Sequence, residues 1–390
     1  MRIKFKNKSL YILLIISLIL NVAYFKYDTV DYLWPKIEKK YFKQKTLTVV
    51  NKETEEIILK KAIQMVKSPN VAMIWDDPKG LTHSIITRNS NTTNEEFRKF
   101  NYPRAFLYFG LTEYLMANKT ENNHQLLLAV KDEFDKLIIN NHKFQINRVD
   151  QAPFGITSLN LYVEFNVQVY KDFADEMFNY LKNVREGDII FYRKNQNQLL
   201  NDVLGMTIPF LVKYYHVTGN PEALEIAKTQ LSFYIKYGVD KETLMPAHAI
   251  DRSKKIKTGS INWGRGIGWY FIALSNYHRE TGDFENEFTG LKNTLNKSKN
   301  SENLWSQFIG VDETFDASPT SMYMYGMLVN NPKEFSKLEM LNLLKPYLSL
   351  EGELLHTSGD TYGLNRYSQT FGKSELSQGM LLLALSTAKE

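Results

Sequence analysis

Cysteine is absent from all 390 residues, which excludes disulfides, thiolate nucleophiles and Cys-ligated metals. Histidine is scarce, seven in total, and no HExxH or comparable pair is present, so a histidine-built metal site is not expected. Strand signals are few. A basic excess suited to nucleic acid is missing too. The net charge is +5, and Arg2, Lys4, Lys6 and Lys8 supply four positives before the first apolar run. What the chain has is a globular balance of 43% hydrophobic and 23% charged residues. Its length suits one large domain or two ordinary ones. Aromatics reach 13%, which fits a ring-rich core or a carbohydrate site where ring faces stack on sugar C–H faces.

The basic start "MRIKFKNK" precedes "LYILLIISLILNVAYF", Leu10–Phe25, in which only Ser17 and Asn21 are strongly polar. That run lies between a signal-peptide core, roughly 7–15 residues, and a spanning helix, roughly 17–25. With Asn21 where a cleavage site prefers a small residue, residues 1–25 are expected to be an uncleaved, single-pass signal-anchor with its basic end inside. The body would then lie outside the cytoplasm at the cell membrane, or be secreted or periplasmic if cleavage occurs near Ala23. Residues 26–52 read as a stalk and 53–390 as the catalytic domain.

From residue 53 the pattern is helical. "EEIILKKAIQMV" sets Ile57, Ile58, Ala62, Ile63 and Val66 on one face. Helical pairs then recur, apolar and aromatic first, amphipathic second. Turns "VTGNPEA" and "ETGDFEN" place a glycine after one helix and Asn or Asp as the next N-cap. The units are longer than those of most solenoids. The expectation is an all-α toroid, an (α/α)6 barrel of inner and outer helices.

The unusual residues gather ahead of apolar helices. "NRVDQAPFG" places Asp150 and Gln151 there, "LLNDVLGMTIPFL" places Asp202, "MPAHAIDRSKKIKTGSINWGRGIGWY" places His248, Trp263, Arg265 and Trp269, and "DASPTSMYMYGM" places Ser318, Thr320 and Ser321. Each has a structural alternative: an N-cap for either aspartate, a satisfied buried imidazole for His248, a solvated loop for "DRSKK", and packing for the tryptophans. Three glycines in "GRGIG" cost a helix stability. They are expected to let the helix entrance run close to a ligand.

"NDVLGMTIPFL", "WGRGIGW" and "SMYMYGML", in that order, resemble the motifs of glycoside hydrolase families 88 and 105, the unsaturated glucuronyl and unsaturated rhamnogalacturonyl hydrolases; "VDQAPFG" is similar to an earlier Asp-Gln element. The likeness runs from about residue 100 to the end. It implies an (α/α)6 barrel, no metal, no organic cofactor and an anionic oligosaccharide substrate made by a polysaccharide lyase. It implies Asp202 as catalytic acid/base, Asp150 as second carboxylate, and His248, Arg265, Trp263, Trp269 and Gln151 at the substrate. Two positions depart from the family pattern: Ile267 stands in place of Asn, and Gly205 in place of a bulkier residue. The implied reaction hydrates the C4=C5 double bond of a terminal uronic acid, and needs a carboxylic acid still protonated near neutral pH. Burial and a nearby like charge both work in that direction. Two further readings of the same residues are a conventional two-carboxylate glycosidase and a membrane-tethered glycan-binding barrel without turnover.

Overall fold

The structure is a computed structural model and describes residues 7–26, 45–51, 53–69, 71–72, 99–193, 195–311, 313–361 and 363–389. Residues 1–45 and 75–98 form one unit, residues 46–74 and 99–390 another. In the first, the helix α1 (Asn7–Tyr24) exposes its apolar side chains, Leu10 to Val22. At about 1.5 Å per residue it reaches roughly 27 Å, short of a hydrocarbon core of about 30 Å. Among the described residues no helix is long and apolar enough to cross a membrane. Most of the expected stalk, residues 27–44, lies outside the described residues. Thr46 and Leu47, also assigned to it, belong to the body: Thr46 bridges Ser349, and Leu47 N–H donates to the Leu348 carbonyl at 2.8 Å.

The body begins with α2 (Glu53–Lys67), which buries Ile58, Leu59, Ala62, Ile63, Met65 and Val66. Six helices then alternate with more amphipathic ones. They are α3 (Tyr102–Ala117), α5 (Ala152–Phe165), α7 (Asp202–Thr218), α9 (Gly264–Thr281), α11 (Ala317–Asn330) and α13 (Glu375–Thr387). Each touches the next, and α13 returns to α3, so they close a ring. They are apolar on nearly every side, as helices enclosed on all faces must be. Outside them lie α4 (Glu121–Phe134), α6 (Gln168–Asn183), α8 (Pro221–Gly238) and α10 (Glu285–Lys297), with α12 (Lys337–Leu344) following α11. α6 shows why it stays outside: Tyr170, Phe173, Ala174, Met177, Phe178 and Leu181 form one buried stripe and the rest is polar. The body is thus mostly helical and consistent with the expected barrel.

The ring closes at a tightly packed seam. A Cβ on Gly110 of α3 would sit 2.2 Å from the Gly379 carbonyl oxygen of α13, so only bare backbone fits there. Beside it, Arg104 donates to both Glu375 oxygens at 2.6 and 2.8 Å, and to the carbonyls of Val66 and Ser68. Nothing in the sequence pattern announced this pair.

The turns follow the expected chemistry in one case and depart from it in the other. Gly219 and Gly282 both end helices with φ near +75°. Asn220 caps the next helix by accepting from Glu222 N–H. Asp283 does not cap; Phe284 holds that place, and Asp283 pairs with Lys228 instead.

Candidate active site

A three-stranded antiparallel ribbon, β1 (Gln198–Leu200), β2 (Ala249–Asp251) and β3 (Ile256–Thr258), positions the first pair. Its register sets Leu200 against Ala249, so the residues just beyond, Asp202 and His248, meet. His248 Nε2 lies 3.4 Å from Asp202 Oδ2. Ser260 N–H donates to the Tyr367 hydroxyl, which leaves that hydroxyl's hydrogen free for His248 Nδ1 at 3.2 Å. His248 thus sits between the two groups, Nδ1 toward the Tyr367 hydroxyl and Nε2 toward Asp202. The imidazole also packs on Trp263, ring centroids 4.4 Å apart.

Asp202 is not a helix cap. The N-cap of α7 is Asn201, and no side chain closes that end. Asp202 Oδ2 is buried with no hydrogen-bond donor among the described residues. Asp150 is equally free of capping duty, since α5 follows Gln151 without a side-chain cap. Its Oδ2 accepts from the Tyr192 hydroxyl at 2.8 Å, and Arg148 Nε lies 3.5 Å from Oδ1, which has no donor. Burial pushes the Asp150 carboxyl up from its ordinary range, while Arg148, Tyr192 and Arg193 pull it back.

Arg265 is fixed from three directions. Nε donates to Ser318 Oγ at 3.1 Å; Nη2 donates to Ser358, through its carbonyl and hydroxyl, and to the Gly359 carbonyl at 2.9 Å. Asp316 holds those acceptors in turn, its Oδ1 accepting from Ser318 N–H, Ser318 Oγ–H and Ser358 N–H. Nη1 lies 3.7 Å from Asp360 Oδ1, beyond hydrogen-bond reach, and that oxygen accepts from the Tyr102 hydroxyl at 2.9 Å. Trp263 lies under the guanidinium, its ring 5.9 Å away. Asp202 acts electrostatically on Arg265, Tyr102, Tyr192 and Asp360, so the starts of α3, α7 and α9 share one mouth.

Thus Asp150, Asp202, His248, Trp263 and Arg265 come together. Others take a different place. Gln151 spends its amide on backbone, accepting from Asn147 and Arg148 N–H and donating to the Gln145 carbonyl. Trp269 is buried between helices against Tyr102 and Phe106. Gly205 explains how: a Cβ there would lie 2.6 Å from the Trp269 ring. Ile267 is wholly buried in the core. The glycines of "GRGIG" face protein and not an open cavity. Added Cβ atoms would meet the Ser306 carbonyl from Gly264, the Trp263 ring from Gly266 and Met322 from Gly268. Close packing is what they permit. Ser318 holds Arg265, whereas Thr320 and Ser321 bond to backbone carbonyls of Trp305 and Ala317. "DRSKK" is a hairpin turn closed by Asp251. Tyr102, Tyr192, Asp360 and Tyr367 were missed. The first three carry no motif, and Tyr367 lies far along the chain from the histidine it touches. Among the described residues no group of three or more His, Asp or Glu is arranged to hold a metal ion. A separate groove of about 600 Å³, lined by Phe144, Phe173 and Tyr180, lies on the outer wall and contains none of the mouth carboxylates.

The model of Glycosyl Hydrolase Family 88 matches residues 79–346. Solved structures share the fold. A possible member of the GH105 family from Salmonella enterica superposes with a TM-score of 0.69 at 17% identity, covering 88% of this chain and 96% of that one. An unsaturated glucuronyl hydrolase from Bacillus sp. GL1, responsible for the degradation of glycosaminoglycan, gives 0.63 at 12% identity, covering 85% and 95%. An α-1,6-mannanase of Salegentibacter gives 0.57 at 17%, covering 86% and 98%. The match over most of the chain places it: the chain belongs to Glycosyl Hydrolase Family 88 and is a glycoside hydrolase acting in carbohydrate degradation.

Proposed function

We propose that this hydrolase removes a terminal 4,5-unsaturated uronic acid from oligosaccharides by hydrating the double bond. The observation that carries this reading is the state of Asp202. Its Oδ2 is buried, caps nothing and lies 3.4 Å from His248 Nε2, while the side chain as a whole stays 17% exposed to the mouth. A carboxyl group left in that condition is available to a reacting atom. In the carboxylic acid form it delivers its proton to C4 of the enol ether, and positive charge develops at C5 and the ring oxygen. Water adds at C5, and its surplus proton returns to Asp202. The hemiketal opens, C1 is left as a hemiacetal, and the remaining sugar departs. His248 orients Asp202, while Tyr367 and Trp263 hold His248. Asp150, whose Oδ1 has no hydrogen-bond donor among the described residues, accepts from sugar hydroxyls. Arg265 offers Nη1 to the uronate carboxylate, and Trp263 walls the sugar from water. General acid–base help of this kind supplies typically about 10²–10⁴-fold. The barrel's (α/α)6 form serves this reading, because the inner helices start at the mouth and their N-termini favour an anion.

Incubation with lyase-generated unsaturated oligosaccharides tests it, following the ultraviolet absorbance of the conjugated double bond. The absorbance should fall as the sugar is released. Release of sugar with the absorbance unchanged would instead mean ordinary glycosidic cleavage between two carboxylates. We also propose that α1 associates with a membrane surface through its exposed apolar side chains; flotation of the full-length chain with lipid vesicles checks this.

A further inference from the structure

Arg265 offers its free edge to an acid the mouth already contains. Four hydrogen bonds hold Nε and Nη2, all to neutral groups, while Nη1 has none among the described residues and lies 3.7 Å from Asp360 Oδ1. The Asp360 side chain is 27% exposed and that of Asp202 17%, so both are open to the mouth. The groups that face Asp360 come from several elements. Tyr102 at the start of α3 donates to it, Arg265 of α9 attracts it, the Thr361 N–H supports its charged form, and Asp202 of α7 repels it. Tyr192, before β1, feels Asp360, Asp202 and Asp150 together, and Asp316 acts on Arg265 from the far side. Burial pushes the Asp360 carboxyl up, and Arg265 and Tyr102 restrain that rise.

A uronate carboxylate seated at Nη1 would bring a second negative charge beside Asp360 at the one free edge of the guanidinium. When two carboxylates share one site, the proton affinity of one of them rises. We propose that Asp360 is an exchangeable counter-ion of Arg265: an anionic sugar takes over Nη1, and Asp360, displaced from that charge, accepts one proton from solvent. The inference rests on the reading of the mouth as a uronate site. No covalent bond of the sugar changes; one proton moves from the buffer acid to an Asp360 oxygen. The consequence is selection by charge and pH together. A neutral sugar binds without proton uptake. An anionic one weakens by roughly tenfold per pH unit once Asp360 is ionised in the free protein.

Methyl β-glucuronide and methyl β-glucoside are the probes, because both lack the double bond and bind without turnover. Titration calorimetry of the full-length protein in buffers of different ionisation enthalpy should show close to one proton taken up per glucuronide bound at neutral pH, and none for the glucoside. Asp360→Asn, which still accepts from Tyr102, should abolish the uptake, flatten the pH dependence and tighten glucuronide binding at high pH. Glucuronide binding without proton uptake by the parent chain overturns the proposal, as does uptake that persists in Asp360→Asn. Failure of the glucuronide to bind at all overturns the uronate reading and this proposal with it.

Discussion

Two buried guanidinium groups divide the molecule. Arg104 meets Glu375 in a two-bonded fork at 2.6 and 2.8 Å, with both side chains almost wholly enclosed. Arg265 meets Asp360 only at 3.7 Å, with one edge unbonded and the acid partly open. The first pair lies at the seam that closes the ring, beside the Gly110–Gly379 backbone contact. The second lies at the mouth, among Asp150, Asp202 and His248. At the seam all three guanidinium nitrogens of Arg104 donate to acceptors, as a charge deep in protein requires. At the mouth Asp150 Oδ1, Asp202 Oδ2 and the Nη1 edge of Arg265 have no hydrogen-bond partner among the described residues. Unmet hydrogen-bonding capacity there costs stability, and a ligand can supply what is missing. The same chemistry thus fixes the barrel in one place and leaves it receptive in another.

The difference is sharpest in the kind of damage a substitution does. At the mouth, Asp202→Asn keeps the size of the side chain and removes the transferable proton. Turnover of an unsaturated uronyl oligosaccharide should fall by about 10²–10⁴-fold, with the melting temperature and binding of a saturated uronide nearly unchanged. Retained consumption of the double bond would reject Asp202 as the acid. At the seam, Glu375→Gln leaves Arg104 buried without its counter-charge. That should cost about 3–5 kcal/mol of folding free energy, read as a lowered denaturation midpoint, while kcat per folded molecule holds steady. A kinetic defect without a stability defect would erase the distinction between the two pairs.

A smaller effect separates charge from geometry. Arg265→Lys keeps the positive charge but cannot span Ser318, Ser358 and Gly359 while also reaching a ligand. Binding of a uronide should weaken by about 1.5–3 kcal/mol, the range of a hydrogen bond to a charged group, and binding of the matching neutral glycoside should not. Equal loss for both sugars would make Arg265 a packing residue of the Trp263 wall.

How much of this the sequence carried follows the same division. Helix periodicity and the paired turns made the toroid legible, because inner helices must be apolar all round and outer ones on a single face. Asp202, Asp150, His248 and Arg265 were legible because local motifs hold them at helix entrances. The glycines were assigned to the wrong neighbour: a close approach looks alike in sequence whether sugar or protein comes near, and here Ser306, Trp263 and Met322 fill the space. Trp269 and Gln151 were read as ligand contacts by position, yet one packs on Gly205 and the other ties down backbone. Asp360 and Tyr102 lie 258 positions apart, and neither stands in a pattern; only ring closure brings them together. The Arg104–Glu375 pair was hidden for the same reason, at a separation of 271.

The smallest effect is expected at Tyr192. Its hydroxyl donates to Asp150 Oδ2 and so favours the charged form of a carboxyl that burial pushes upward. Tyr192→Phe removes that support and keeps the ring. Asp150 should then titrate at a still higher pH, and the acid limb of kcat/KM, which reports the free enzyme, should move up by up to about one unit. One unit corresponds to about 1.4 kcal/mol. The plateau above the limb should survive, because Asp150 is ionised there in both proteins. Stability gives an independent sign. The folded carboxyl titrates above its unfolded value, so its contribution to stability is present in acid and lost as pH rises through the folded titration. Losing the Tyr192 hydrogen bond therefore lowers the melting temperature more at neutral pH than in acid. If Tyr192 only packs against the loop, the substitution would depress activity equally at every pH and leave the limb in place. A limb that moves down would mean that the Tyr192 hydroxyl favours the neutral acid of Asp150 and not its anion.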